Sequence, residues 1–282
     1  MLGGSATYFG YAASLFGPVG LVGVVGDDFP EAHLAAFRAR GMDTCGVRRI
    51  PGRTFRWAGR YLDDMNVRET TRLELNVFEQ FDPQLPDAYR CCAYCFLANG
   101  TPAIQHSVLD QLRRPRLVLA DTMNHWIATA RDDVVAMLRR VDGIIINDEE
   151  AQMLSGRRNL VAAARAVARL GPRIVIVKKG AHGSLLVAGN DVFLLPAFPV
   201  EEVHDPTGAG DCFAGGFMGY LARAGRVTSA ALRRAVLCGT IVASFNVEAF
   251  SIERLRQLTT DDLTARAQQF AAMLRVRHGA FA

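Results

Sequence analysis

After residue 81 this sequence alternates between short apolar runs and segments with helical spacing, and this pattern constrains the fold more than any other feature. The apolar runs lie at about 93–98, 116–120, 142–147, 173–178 and 184–188. Helical patterns lie between several of them, at about 103–113, 130–140 and 159–170. Such alternation is typical of crossover connections on a mostly parallel sheet. The sequence therefore predicts a three-layer α/β/α domain, completed by helices at about 211–224, 229–246 and 261–277.

The N-terminal part of the chain fits the same domain. Its predicted elements are a helix within Gly3 to Phe16, a buried strand at Leu21 to Val25 and an amphipathic helix at Pro30 to Arg40. From about 47 to 81 the spacing changes to a period of two, with apolar and polar residues on opposite faces. This pattern indicates β structure outside the main core. We therefore predict a core of residues 1–46 and 82–282 and a small β lid at 47–81.

Composition and charge exclude several classes of protein. Half of the 282 residues are hydrophobic, which is enough apolar surface for a core and excludes disorder. The 32 basic residues nearly balance the 28 acidic ones, so the net charge of +4 is not the signature of a nucleic-acid binder. No apolar run approaches the roughly 20 residues that span a bilayer. No Lys or Arg precedes Arg38, so no signal peptide is predicted.

The six cysteines indicate a reducing compartment. Cys92 and Cys95 form a C-x-x-C pair, but no second pair or histidine cluster completes a zinc site. Their apolar surroundings favour packing in the core. The sequence therefore predicts a cytoplasmic protein.

The strongest chemical signal is the segment Asp205 to Asp211, which reads Asp-Pro-Thr-Gly-Ala-Gly-Asp. Gly208, Ala209 and Gly210 are small enough for the backbone to approach a ligand closely, and an apolar helix follows them. The free N–H groups of the first helical turn then point at the ligand, and the helix dipole favours negative charge there. These residues are a predicted anion cradle.

Asp211 lies at the start of this predicted helix. A carboxylate is an unusual neighbour for a bound phosphate, because like charges repel. The arrangement is reasonable if Asp211 accepts the proton of a hydroxyl that attacks the phosphate. The alternative is an ordinary capping aspartate after a glycine turn.

The same segment, with the small residues Ala214 to Gly216 after it, resembles the C-terminal signature of the PfkB carbohydrate kinases, the ribokinase-like kinases. Pro206 stands where the family pattern often has Thr, and Pro is a familiar variant. The resemblance runs from Gly3 to about Phe250. It implies a ribokinase-like fold and transfer of the γ-phosphoryl group of ATP to a hydroxymethyl group of a sugar or sugar-like molecule. ATP and Mg²⁺ are the implied cofactors, with a monovalent cation such as K⁺ as a further candidate.

Asn147 and Glu150 follow a predicted strand and resemble the family's Asn-x-x-Glu motif, which helps to organise magnesium, its waters and phosphate. A carboxylate at the carboxyl end of a strand is a suitable partner for Mg²⁺, usually through water. The alternative for this pair is a capping box at the start of a helix.

The segment Val175 to Gly183 resembles the family's strand and Gly-x-x-Gly turn near the nucleotide, with Gly180 and Gly183 as the turn glycines. Many relatives have Thr at the position of Lys178, where a lysine can reach a nucleotide phosphate as a point charge. The alternative is a solvated lysine pair at a hairpin turn. The resemblance also places Thr207 among the nucleotide-binding residues.

Gly3 and Gly4 resemble the family's N-terminal glycine signature, whose backbone contacts the acceptor. Relatives usually have a strand and an acceptor-binding Asp before this pair. Here only Met1 and Leu2 precede it, so the first strand is expected to be missing. Many relatives also have an Asn shortly after the pair, where this chain has Ala6 to Phe9, which argues against ribose itself.

Polar residues that follow apolar strands are the other predicted acceptor contacts. Ligands of open α/β sheets bind beyond the carboxyl ends of the strands. The candidates are Asn99, Asp121 and Asn124, together with Asp205 of the signature. The alternative for each of the three strand-end residues is an ordinary loop-capping role.

Two other functions stay open at this point. A nucleoside kinase on the same fold fits the alternating lid and the apolar Tyr8-Phe9 neighbourhood. A non-catalytic, ligand-binding relative fits the missing first strand. The expected partner is a small-molecule sugar or nucleoside, with no nucleic acid and no membrane, and the exposed lid sheet is a candidate dimer surface.

Overall fold

The computed structural model describes residues 1–61, 65 and 68–275. Its strands are β1 (Val19–Val25), β2 (Met42–Arg49), β3 (Arg56–Tyr61), β4 (Arg68–Glu74), β5 (Tyr94–Leu97), β6 (Leu117–Ala120), β7 (Gly143–Asn147), β8 (Ile174–Lys178), β9 (Ser184–Ala188) and β10 (Asp191–Leu195). Its α-helices are α1 (Ser5–Ala13), α2 (Glu31–Ala39), α3 (Asp87–Arg90), α4 (Pro102–Gln111), α5 (Asn124–Thr129), α6 (Arg131–Leu138), α7 (Asp148–Ser155), α8 (Leu160–Ala168), α9 (Ala209–Ala224), α10 (Ser229–Asn246), α11 (Glu253–Gln257) and α12 (Thr260–Met273). Short 3₁₀ helices lie at Asn76–Gln80 and Gly180–His182.

The main sheet has the strand order β10-β9-β8-β7-β6-β5. The strands β5, β6, β7 and β8 pair in parallel, whereas β9 and β10 are antiparallel additions at one end. The apolar runs of the sequence form these parallel strands because both of their faces are buried. The predicted mostly parallel sheet is confirmed.

Helices cover both faces of this sheet, so the core has two layers. Alternate residues of one strand enter different core clusters: Ile145 packs with α1, α9 and α10, whereas Ile144 and Ile146 pack with α6, α7 and α8. Side chains of a strand point alternately to its two faces, which produces this division. The result is the predicted three-layer α/β/α arrangement.

Two small sheets lie beside the main one. The strands β1 and β2 form a parallel pair, and β3 and β4 form an antiparallel pair within the predicted lid segment. The predicted lid boundary at 47 is wrong, because β2 extends to Arg49 and Val47 pairs with Gly23 of β1. Gly41 leads directly into β2.

Two further local predictions differ from the structure. Alternation does not continue through Val77, because β4 ends at Glu74 and a 3₁₀ helix follows. The strand β10 was not expected, although its residues pair along their whole length with β9. Among the described residues, no helix is both long enough and apolar enough to cross a membrane.

Candidate active site

The predicted anion cradle is the N-terminus of α9, a helix of 16 residues. Gly208 is its N-cap residue and has a left-handed φ of 79°. A side chain there would be strained, and a Cβ would overlap the Tyr8 ring that packs against this turn. Glycine at 208 therefore permits the turn that begins α9, in which the Ala209 N–H donates to the Pro206 carbonyl oxygen at 3.1 Å.

Hydrogen bonds from three directions hold the loop in front of the cradle. Asp205 accepts from the backbone N–H of Thr207 at 2.9 Å and from that of Ser251 at 3.2 Å. The side chain of Asn246 donates to the carbonyl oxygen of Thr207 at 2.9 Å. Asp205 therefore organises the loop, while its predicted contact with the acceptor stays a prediction.

The buried ring of Tyr8 packs against the Gly208 turn. Burial, assisted by the nearby charge of Asp205, raises the pKa of Tyr8 well above its usual range, so the phenol stays protonated. Burial likewise raises the pKa of the Cys212 thiol, which donates to the side-chain oxygen of Asn246 at 3.4 Å. Both groups are therefore neutral packing partners of the cradle.

Asp211 is the acidic residue in the first turn of α9, and it lines a cavity of about 2070 Å³. The same cavity contains Thr207 and Gly208 of the cradle and the predicted acceptor residues Gly3, Gly4, Asn99 and Asp205. A carboxylate, an anion cradle and polar groups at a strand end thus share one space. This combination suits transfer of a phosphoryl group to a hydroxyl that Asp211 can reach.

Lys178 lies at the carboxyl end of β8, beside the cradle. Its ammonium group is 3.8 Å from a carboxylate oxygen of Asp121, which follows β6. A Cβ added to Gly210 would lie 2.8 Å from the Lys178 nitrogen, so this glycine leaves room for the ammonium group. The structure therefore brings a cation to the anion cradle and gives Asp121 an ion-pair role that the sequence did not indicate.

Asn147 and Glu150 form the capping box that was the alternative reading of this pair. The Asn147 side chain accepts from the Glu150 N–H at 2.8 Å, and the Glu150 carboxylate accepts from the Asn147 N–H at 2.7 Å. Within the described residues, no group of three or more His, Cys, Asp or Glu could hold a metal ion. Mg²⁺ often uses only one or two carboxylates with waters and substrate phosphates, so a single Glu150 fits it.

The two turn glycines have different surroundings. Gly180 begins a 3₁₀ turn, and Gly183 ends it with a φ of 86°. A Cβ on Gly183 would overlap the carbonyl oxygen of Leu195, because β10 passes close by. Gly183 is therefore required by the hairpin itself, and the nucleotide contacts of both glycines stay predictions.

The predicted acceptor residues are only partly brought together. Gly4 is the N-cap of α1, and Asn99 donates a hydrogen bond to the sulfur of Met123 at 3.3 Å. Asn124 begins α5, and its side-chain oxygen is buried without a hydrogen-bond partner. Asn124 and Asp121 do not line the cavity of Asp211, whereas Gly3, Gly4 and Asn99 do.

Aromatic side chains form much of the remaining cavity wall. Phe9 and Phe96 stack with ring centroids 4.7 Å apart, and Trp57, Phe78 and Trp126 line the same space. The sequence analysis did not pair Phe9 with Phe96. The wall is therefore suited to a flat, partly apolar acceptor as well as to hydroxyl groups.

Tyr61, at the end of β3, was missed by the sequence analysis. Its hydroxyl accepts a hydrogen bond from Thr207 Oγ1 at 3.2 Å, which joins the lid sheet to the cradle loop. A period-two pattern places Tyr61 on a face of the strand but cannot indicate what that face contacts. The contacts of Asn246 and Ser251 with the cradle loop could not be predicted for the same reason.

We expect Tyr61→Phe to lower kcat by roughly 2- to 10-fold, the usual worth of one neutral hydrogen bond. The change removes only the hydroxyl that joins the lid to Thr207. Steady-state kinetics and ATP hydrolysis without acceptor measure the effect. Tyr220→Phe is the control, because Tyr220 does not line the cavity. Equal rates in the two variants would contradict a role for the lid–loop contact.

We expect Lys178→Ala to lower kcat/KM for ATP by roughly 10- to 100-fold, which corresponds to the loss of one charge-assisted contact. Arg173→Ala is the matched control, because Arg173 lies before the other end of β8 and pairs with Asp142 at 3.0 Å. Initial rates at varied ATP provide the comparison. An unchanged kcat/KM for ATP in Lys178→Ala would show that the Lys178–Asp121 pair serves the fold alone.

A three-layer α/β/α core with a glycine turn at the N-terminus of α9 and the Asp211 carboxylate in its first turn fits a phosphotransferase. Residues 2–252 match the family model described as pfkB family carbohydrate kinase. The chain therefore belongs to the pfkB family of carbohydrate kinases, and the family resemblance seen in the sequence is confirmed.

Individual relatives agree with this assignment. A cytidine kinase of Thermococcus kodakarensis is 32% identical over 227 residues, which cover 78% of this chain and 80% of the relative. A putative ribokinase II from E. coli, solved with ATP and Mg²⁺, has a TM-score of 0.78 at 20% identity. The match covers 95% of this chain and 89% of the E. coli chain. An aminoimidazole riboside kinase from Salmonella enterica has a TM-score of 0.73 at 24% identity, and the match covers 94% of this chain and 91% of the Salmonella chain. The structural matches confirm the ribokinase-like fold.

Proposed function

We propose that this kinase transfers the γ-phosphoryl group of ATP to a hydroxymethyl group of a sugar or nucleoside, with Asp211 as the general base. The observation that carries the proposal is the shared cavity, in which Asp211, the Gly208 turn and the strand-end residue Asn99 meet. A base, a cradle and an acceptor space are the parts that in-line transfer to an alcohol requires.

The proposed chemistry divides between the Asp211 carboxylate and the backbone beside it. Asp211 accepts the proton of the acceptor hydroxyl while the hydroxyl oxygen attacks the γ-phosphorus. The bond between the γ-phosphorus and the oxygen that bridges it to the β-phosphate breaks, and ADP leaves. The N–H group of Gly210 and the dipole of α9 stabilise the charge that builds on the transferred group. Lys178, beside Gly210, adds positive charge at the same place.

Magnesium fits the carboxyl edge of β7, where Glu150 would hold it through water with the help of Asn147. When bound, Mg²⁺ supplies charge neutralisation between the phosphates. The capping box fixes the Glu150 carboxylate at the start of α7, so the side chain is already oriented. The neighbouring E. coli structure was solved with ATP and Mg²⁺, which supports this pairing.

The β3–β4 sheet is proposed as the lid, within residues 50–81. Trp57, Thr70 and Leu73 of this sheet line the cavity of Asp211, and Tyr61 bonds to Thr207. A cover in this position excludes water from the reacting phosphate and limits hydrolysis of ATP. The contact between Tyr61 and the cradle loop supports the assignment.

A nucleoside is the second candidate acceptor, and the aromatic wall favours it. The stacked pair Phe9 and Phe96 and the nearby Trp126 offer flat surfaces for a base, whereas a simple sugar needs mainly polar partners. The cytidine kinase relative supports the same choice. Location in the cytoplasm, a dimer formed through the lid and dependence on K⁺ stay predictions.

The test is ATP consumption by the purified chain with Mg²⁺ over a panel of hexoses, pentoses, polyols and nucleosides. Turnover with any hydroxymethyl acceptor supports phosphotransfer, and comparison of kcat/KM values assigns the acceptor class. A preference for nucleosides of at least 10-fold would favour the aromatic wall as a base-binding surface. No turnover with any acceptor would favour the non-catalytic alternative.

A further inference from the structure

Two residues that the sequence assigned to different substrates, Asp121 and Lys178, meet on one face of the main sheet. Lys178 is the last residue of β8 and continues the alternation of Ile174 and Ile176, which pack in the core cluster that includes α9. Asp121 directly follows β6, two residues after Leu119 of the same cluster. Both side chains therefore lie at the carboxyl edge of the sheet, on the side of α9.

Hydrogen bonds fix both the backbone and the carboxylate of Asp121. Its N–H donates to the Leu97 carbonyl oxygen at 2.9 Å, and its carbonyl oxygen accepts from the buried side chain of Gln105 at 2.8 Å. One carboxylate oxygen, Oδ1, accepts from the Thr122 N–H at 2.8 Å, and the other, Oδ2, lies 3.8 Å from the ammonium nitrogen of Lys178. The carboxylate is thus held in one orientation, with Oδ2 on the side of Lys178.

The ammonium group of Lys178 lies against the first turn of α9. A Cβ added to Gly210 would be 2.8 Å from the ammonium nitrogen, so the cation and the helix N-terminus are adjacent. The side chains of Lys178 and Asp121 are only 19% and 11% exposed, so water and salt screen their attraction much less than at the surface. A fixed and largely buried carboxylate therefore holds this cation at the start of α9.

We propose that Asp121 is a positioning residue for the nucleotide and not a contact of the acceptor. It holds the Lys178 ammonium beside Gly210 before ATP binds, so that the β- and γ-phosphates meet a cation that is already in place. A lysine side chain has much rotamer freedom to lose, and its prior ordering lowers the cost of binding phosphate. This inference rests on the proposed function, which places the γ-phosphoryl group at the start of α9.

The surroundings of Asp121 argue against the acceptor contact that the sequence predicted. Asp121 is 8% exposed, and neither it nor Lys178 lines the cavity of Asp211, in which the acceptor is proposed to bind. Asn99, which follows the neighbouring strand β5, does line that cavity. The carboxylate of Asp121 therefore acts on the reaction through Lys178, on the nucleotide side of the transfer.

The composition of the chain makes Lys178 directly observable. Of the 32 basic residues, only Lys178 and Lys179 are lysines, so a chain labelled with [¹³C]lysine gives two sets of side-chain NMR signals, which Lys179→Arg assigns. The β,γ-methylene analogue of ATP is added with Mg²⁺, and AMP is the control because it lacks the β- and γ-phosphates. We expect the Lys178 signal to move with the ATP analogue and to stay in place with AMP.

The Asp121→Asn variant tests the positioning step, because it keeps the shape of the side chain and removes the charge that holds Lys178. We expect the Kd of the ATP analogue to rise by about 3- to 20-fold, with KM for the acceptor unchanged. In a Lys178→Ala background the same substitution should change this Kd by less than about 2-fold, because no ammonium group is left to position.

The matched control is the ion pair at the opposite edge of the sheet. Asp142, before β7, pairs with Arg173, before β8, at 3.0 Å, and like Asp121 it also accepts a backbone N–H, that of Val118 at 2.9 Å. Asp142→Asn should leave the Kd of the ATP analogue and the Lys178 signal unchanged. If Asp121→Asn folds poorly, the test uses the double variant against Lys178→Ala, together with the Lys178 signal of the unaltered chain.

Several results would overturn the proposal. An unmoved Lys178 signal would show that the ammonium does not meet the phosphates, and a lower Kd in Asp121→Asn would show that the carboxylate competes with them. Losses that add in the double variant would make the two residues independent. A higher KM for the acceptor with an unchanged Kd for the nucleotide would assign Asp121 to the acceptor. The binding and NMR measurements need no acceptor, so failure of phosphotransfer itself would contradict only the proposed reaction.

Discussion

The Asp211→Asn variant is expected to fold normally and to lose at least about 100-fold in kcat. Asparagine has the shape of aspartate and keeps the packing at the start of α9, but it cannot accept the proton of the acceptor hydroxyl. KM for ATP should change little, because the cradle N–H groups are unaffected. Steady-state kinetics with the best acceptor of the panel measure kcat and KM, and a thermal melt measures whether the variant folds normally.

Asp261→Asn is the matched control for this variant. Asp261, like Asp211, is an acidic residue in the first turn of a helix, and its helix α12 lies outside the cavity. Each substitution loses a similar helix-dipole term of about 0.3–1 kcal/mol, so equal melting shifts are expected. Near-normal kcat in Asp211→Asn would contradict its role as the base and leave it a capping residue.

The Gly208→Ala variant is expected to lose most of its activity and roughly 2–5 kcal/mol of unfolding free energy. The left-handed φ of 79° costs alanine about 1–2 kcal/mol. Overlap of the new Cβ with the buried Tyr8 ring adds about 1–3 kcal/mol and displaces the turn that forms the cradle. Urea unfolding and kcat/KM for ATP measure the two losses separately.

The Gly225→Ala variant measures the cost of a left-handed φ to alanine without any overlap of the new Cβ. Gly225 caps the opposite end of α9 with a φ of 64°, and a Cβ there meets nothing within 4 Å. This control should lose only about 1–2 kcal/mol and keep its activity. If Gly208→Ala were as stable and as active as Gly225→Ala, the contact with Tyr8 would not shape the cradle.

The sequence predicted the core well where one local pattern corresponds to one structure. The apolar runs that became β7 and β8 are buried on both faces, and the helix of residues 229–246 has its predicted bounds. The helix start at Gly208 was also predictable, because glycine supplies the backbone turn that precedes a helix. Local chemistry alone placed Gly208 at a turn that begins α9.

Predictions were less accurate where one sequence pattern is compatible with two different local structures. The period of two continued past Glu74, but hydrogen bonding ended the strand there and a 3₁₀ helix followed. Asn147 and Glu150 matched both a capping box and a magnesium motif, and the structure shows the capping box. The boundary at 47 failed because the sequence does not show that Val47 pairs with Gly23.

The sequence by itself determined the family, the alternation of strands and helices after residue 81 and the N-terminus of α9, because helix starts, glycine turns and buried strands depend on near neighbours. Only the tertiary structure placed Lys178 beside Gly210 and Asp121, and Tyr61 beside Thr207. Such contacts join residues far apart in the chain, so packing of the three layers decides them and no local pattern contains them.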